Sequence, residues 1–207
     1  MGIREVWSNK ISREELSAGD HIYSWRGSSR LFAHHGIYAG GGMVIHFTRG
    51  ADQEFGIRKV DRVSVGSAAL TSFRHSVDNP CPSCGYHSML NGVISSCIDC
   101  FLSDGELYLY RYGVSWTFYK AKLRRGTCTR KPSDTPNVVL ARAQSFLATG
   151  FGDYHIVNNN CENFAITCKT GEGIGIPNGQ AKFLLKISPW FAASVPVTVA
   201  VLIVIAM

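Results

Sequence analysis

An α+β fold, an antiparallel sheet packed against helices, is predicted by three stretches of this chain. His34-His35-Gly-Ile-Tyr-Ala-Gly-Gly-Gly-Met-Val-Ile-His46 sets two β-rich runs on either side of Gly40–Gly42, which is a hairpin signal. Thr135-Pro136 opens a helix, with threonine as N-cap and proline at the first position, and Gly150 ends it. Its apolar stripe is Val139, Ala143, Phe146 and Leu147. Asn160-Cys161-Glu162-Asn163-Phe164 starts a second helix, because asparagine suits an N-cap and Gly171 stands where a C-cap glycine would.

Residues 1–17 read as a polar lead-in. They contain no apolar h-region and hence no signal peptide, and Val6 stands where a myristoylation signal wants Ser or Thr. Ala18-Gly19-Asp20 is a turn, His21 to Trp25 a strand, and residues 26–30 a loop. In the hairpin that follows, register decides the chemistry. An odd number of loop residues puts His34 and His46 on one face, whereas a two-residue loop separates them. Three consecutive glycines favour the odd loop. Residues 51–76 are irregular, with short strand signals at 57–60 and 69–73. Cys81-Pro-Ser-Cys84 and Cys97-Ile-Asp-Cys100 come next, with twelve residues between them. Glu106 to Tyr112 alternates as a strand whose Tyr108, Tyr110 and Tyr112 share a face suited to packing. A basic, turn-rich linker leads into the first helix, and the short run Tyr154 to Val157 leads into the second. No internal repeat is present.

The 207 residues suffice for one good-sized domain with appendages. The net charge of +6 favours an anionic partner. With no Lys/Arg-rich run or aromatic-basic stripe, that partner is membrane lipid rather than nucleic acid. Seven cysteines without a signal peptide point to a reducing compartment and not to a disulfide framework.

From Ile187 to Met207 the chain carries no charge. About 18 residues from Trp190 would span ~27 Å as a helix, close to the hydrocarbon core of a bilayer. The alternatives are a buried or an interfacial helix, which Pro196 keeps open. The expectation is a C-terminal membrane anchor, 187–207, after a linker, 176–186. Lys182 and Lys186 then lie on the cytoplasmic side, and the domain faces the cytoplasm.

Two CxxC pairs at this spacing suit four thiolates around a structural zinc, within a small zinc-ribbon-like insertion, 79–102, whose alternative is reduced bystander thiols or a redox pair. Four ligands leave no open position for catalysis, and His87 is a spare. No organic cofactor is indicated. His21, His75 and His155 read as surface or satisfied histidines. A thiol at a helix start feels the positive end of the macrodipole, which favours the thiolate. Taken alone, Cys161 is open between a buried structural thiol and a nucleophile. Cys168 is the other candidate, but it lies toward the C-terminal end of the helix, where the dipole disfavours a thiolate. An imidazole pair on the hairpin would supply the base and its orienter.

Gly19-Asp20-His-Ile-Tyr, His34-x-Gly-Ile-Tyr-x-Gly, Val44-x-His46-Phe and Asn160-Cys161-Glu162-x-Phe164 together resemble the lecithin:retinol acyltransferase-like family, called the NC domain in plants. The four ordered motifs span about residues 15–170, and the domain is expected over 10–175. The resemblance implies a circularly permuted NlpC/papain-like fold and acyl transfer or hydrolysis on phospholipids through a cysteine thioester. It maps the nucleophile to Cys161 and the two histidines to His34 and His46. His35 points away from His34 in a regular strand. Asn163 stands where many members carry His or Asp. The Cys81–Cys100 segment has no counterpart in the animal enzymes, so substrate preference does not carry over. The expected function is thiol-dependent acyl transfer or phospholipase A-type hydrolysis on membrane phospholipid. The rivals are an NlpC-type peptidase or amidase and a non-catalytic membrane-anchored interaction module.

Overall fold

The computed structural model describes residues 8–26, 32–49, 75–122, 127–155 and 158–172. The strand signals at 57–60 and 69–73, the linker and the apolar tail 187–207 lie outside them. Five strands form one antiparallel sheet: β1 (His21–Arg26), β2 (Phe32–Gly40), β3 (Met43–Thr48), β4 (Gly92–Cys97) and β5 (Tyr108–Leu109), in the spatial order β4-β3-β2-β1-β5. Among the described residues four helices accompany it: α1 (Ile98–Leu102), α2 (Trp116–Ala121), α3 (Pro136–Thr149) and α4 (Cys161–Thr170). The α+β fold with an antiparallel sheet is therefore as expected.

The hairpin reaches the expected facing by a different route. The turn has two residues, Gly41 and Gly42, both at positive φ as a type I′ turn requires. Alone, that turn would have put His34 and His46 on opposite faces. A register shift between Tyr38 and Gly40 restores the parity, so that Ile37 pairs with Ile45 and Tyr38 with Val44. One extra residue on one strand moves every side chain beyond it to the other face.

The sheet is covered on both sides. Ile37, Ile45 and Phe47 meet Val139 and Ala143 of α3 and Phe164, Ala165 and Cys168 of α4. On the other side Ile22 and Val44 pack with Ile98, Phe101 and Leu102 of α1. Arg26 donates to the carbonyls of Phe101 and Leu102, a cation at a helix C-terminus where the dipole favours it. Gly36 is needed beneath α1. A Cβ there would meet Val44 Cγ1 at 2.7 Å and Phe101 Cε2 at 2.9 Å.

Helices α3 and α4 begin and end as the sequence predicts, at Thr135 and Gly150 and at Asn160 and Gly171. The stripe of α3 is narrower than expected, since Leu147 remains 39% exposed. The ladder of β5 covers two residues of the predicted 106–112 run. Beyond them Arg111 bridges to Cys128, while Tyr108 and Tyr110 pack with Tyr23.

Candidate active site

Asn160 and Asn163 set the start of α4. The Asn160 side chain accepts from the amides of Glu162, at 3.0 Å, and Asn163, at 3.3 Å, while Asn163 Oδ1 accepts from the Asn160 amide at 3.2 Å. Such a reciprocal cap contributes about 1 kcal/mol and makes Cys161 the first helical residue, at the positive end of the dipole. Asn163, a departure from the commoner family residue, thus has a structural task. The Cys161 thiol is buried and donates to the Ala33 carbonyl at 3.8 Å. That carbonyl belongs to the peptide bond entering His34.

His34 and His46 come together as expected. His34 Nε2 and His46 Nδ1 are 2.8 Å apart, with the rings edge to face. Phe101 of α1 lies against both rings, at 5.3 and 5.4 Å between centroids. His46 Nε2 has a partner that sequence reasoning missed, Ser96 Oγ at 3.0 Å. No local signal marks a serine fifty positions downstream.

His35 takes the opposite face, as a regular strand requires. Its Nδ1 is 2.9 Å from His21 Nε2, and His21 Nδ1 is 2.8 Å from the Tyr112 hydroxyl, with Tyr110 stacked on His21. His21 is therefore a satisfied buried histidine. His155 is exposed.

Burial keeps all four histidines neutral. Desolvation first, then the repulsion that a second proton on the His34–His46 pair would meet and the nearby Arg26 charge, hold His34 well below the usual imidazole range, and His21 is likewise depressed. His35 and His46 are lowered to about 3. A neutral His34 is the form able to accept a proton. The linkage has a definite sign. Above pH ~6.5 both folded and unfolded chains carry neutral imidazoles, whereas below it the unfolded chain takes up protons that the folded chain refuses. Stability is therefore lost as pH falls below about 6.5, and the loss continues toward about 3 for His35 and His46. Thermal melts are expected to drop steeply between pH 7 and pH 5. A flat melting temperature there would mean that the histidines are protonated in the folded protein.

Cys81, Cys84, Cys97 and Cys100 are free thiols whose sulfurs all lie within 4.8 Å of one another. Cys81 and Cys97 sulfurs are 4.0 Å apart, and those of Cys84 and Cys100 are 3.8 Å apart. A tetrahedron with metal–sulfur bonds of about 2.3 Å has edges of about 3.8 Å, so the four can hold a metal with little movement. The Gly85 amide donates to the Cys81 carbonyl at 2.8 Å, closing the tight turn of a knuckle. Cys97 ends β4 and Cys100 lies in α1, so the cluster is joined to the sheet edge and to the helix that covers the two histidines. His87 is not among the grouped ligands.

Residues 14–174 match the family described as lecithin retinol acyltransferase. The chain is also 46% identical over 164 residues to Protein LEAD-SENSITIVE 1 of Arabidopsis thaliana. The match covers 79% of this chain and 61% of that relative, so the chain spans less than two thirds of the relative's length.

Proposed function

Because this chain belongs to the lecithin retinol acyltransferase family, which suggests thiol-dependent acyl transfer or hydrolysis, we propose that it acts on membrane phospholipid through a thioester at Cys161. The observation that carries the reading is the thiol at a capped helix start, set against the peptide that enters a hydrogen-bonded His34–His46 pair. The thiol turns from the Ala33 carbonyl and gives its proton to His34 Nδ1, the nitrogen not engaged by His46. The sulfur attacks the ester carbonyl, and His34 returns the proton to the departing lysophospholipid alkoxide, leaving an acyl thioester. An acceptor amine, alcohol or water then loses a proton to His34 and takes the acyl group, and His34 passes that proton to the departing thiolate, restoring the thiol and the neutral imidazole. The amides of Glu162 and Asn163 are held by Asn160, so an oxyanion donor must come from another backbone N–H.

The four-cysteine cluster is proposed as a structural zinc site. Its four thiols would complete a tetrahedron, so its contribution is to hold β4 and α1, not to take part in the reaction. The uncharged run 187–207 is proposed to anchor the domain on the cytoplasmic side of a bilayer, where tethering raises the local concentration of lipid. Among the described residues no helix is long and apolar enough to cross a membrane. The net charge of +6 supports an anionic lipid surface as the partner.

The test is trapping. Full-length chain incubated with phosphatidylcholine vesicles and acid-quenched is expected to carry a hydroxylamine-labile acyl adduct on Cys161 by peptide mass spectrometry. Turnover of a peptide or amide panel without a lipid adduct would replace this reading with an NlpC-type amidase. Inertness toward both panels would leave an interaction module.

A further inference from the structure

We propose that Ser96 is a positioning residue that fixes the tautomers of His46 and His34 and so leaves His34 Nδ1 bare on the side where a thiol proton must arrive. The proposal deepens the assignment of His34 as base and rests on it for its functional meaning.

Ser96 is fully buried on β4, and its hydroxyl has two neighbours, His46 Nε2 at 3.0 Å and the Cys97 carbonyl at 3.3 Å. A carbonyl oxygen can only accept. The single hydroxyl proton therefore goes to Cys97, and the serine oxygen accepts from His46 Nε2–H. A neutral imidazole with a proton on Nε2 has a bare Nδ1, and His46 Nδ1 must then accept from His34 Nε2–H, 2.8 Å away. His34 in turn is left with a bare Nδ1. The reverse direction would spend the serine proton on His46 and set a hydroxyl lone pair against a carbonyl oxygen at 3.3 Å, with no proton between them. It would also put the His34 proton on Nδ1, the wrong nitrogen for a base.

Burial strengthens the choice, because Ser96 and His46 are shielded from solvent that could replace a missing partner. Cys97 also belongs to the four-thiol cluster. Whatever holds that cluster therefore holds the carbonyl on which the chain of protons is anchored.

Nitrogen-15 NMR of the full-length chain with labelled histidine rings reads the tautomers directly. Signals are assigned by single histidine replacements. The expected result is that both His34 and His46 are protonated on Nε2. A wild-type His46 with its proton on Nδ1 overturns the proposal without any variant. Ser96→Ala is expected to mix the tautomers of both rings and to slow thioester formation on the order of 10-fold to 10²-fold, with lipid KM little changed. Ser96→Thr keeps the hydroxyl and is expected to restore both the tautomers and the rate. Wild-type tautomers persisting in Ser96→Ala would also overturn the proposal. The NMR outcome stands even if phospholipid proves not to be the substrate, so failure of the acyl-transfer reading and failure of this one are separable.

Discussion

Cys161→Ser is expected to lower thioester-dependent turnover by at least roughly 10³-fold while leaving the melting temperature within a few degrees of wild type. The chemistry sets the first number. A serine hydroxyl is a far weaker nucleophile than a thiol when its activating base is tuned for sulfur. The second number comes from packing, since a serine in the same place can still donate to the Ala33 carbonyl. Cys168→Ser should behave in the opposite way. Cys168 is fully buried in the core against α3, its thiol pushed up to about 12 by that burial. A hydroxyl there should destabilise the fold by roughly 1–3 kcal/mol and spare the chemistry. His35→Ala serves as the second control. It breaks the buried His21–His35 contact and should cost stability, whereas His34→Ala should remove turnover. Loss of turnover in Cys168→Ser with retention in Cys161→Ser would show that the nucleophile has been misassigned.

Stripping metal is expected to have the larger effect on the fold. Full-length chain should hold about one zinc, and chelation or Cys97→Ser should release it and lower the melting temperature by about 10 °C or more. The size follows from where the thiols sit. Cys97 closes the edge strand paired to β3, and Cys100 lies one residue before Phe101, which covers both His34 and His46. Freeing the cluster therefore loosens the edge strand and the lid over the imidazoles together. Turnover should fall with it, as an indirect consequence. Metal-free chain that melts at the wild-type temperature would show that the four cysteines are bystanders.

Much of the candidate site is written in local sequence. The caps at Asn160 and Gly171 place Cys161 at a helix start because the backbone groups they satisfy lie within a few residues. The two CxxC pairs bring ligands together because each pair is a local turn. The shared face of His34 and His46 was predicted for a reason that proved incomplete. Three glycines suggested an odd loop, but the parity comes from a two-residue turn and a register shift after Tyr38. Turn type and bulge have nearly interchangeable sequence signatures, and only the completed ladder distinguishes them.

Other features depend on contacts between distant parts of the chain. Leu147 fits the helical period of α3 as well as Ala143 does, yet it stays exposed because sheet and α4 cover a narrower strip than the period allows. The run after Glu106 alternates throughout, but a strand needs a partner, and β1 pairs with only two of its residues. Short helix α1 and its Phe101 gave no periodic signal, because five residues are too few to show one. The His46–Ser96 contact joins positions fifty residues apart and depends on β4 pairing beside β3.

The sequence by itself placed Cys161 at a capped helix start, His34 and His46 in one hairpin and four cysteines at ligand spacing, because capping, alternation and ligand spacing act over a handful of residues; the family resemblance then marked the thiol and the two histidines as candidates. The tertiary structure decided which faces those side chains share, what covers them and which proton goes where. Those outcomes depend on register and long-range pairing, and a one-residue shift reverses them.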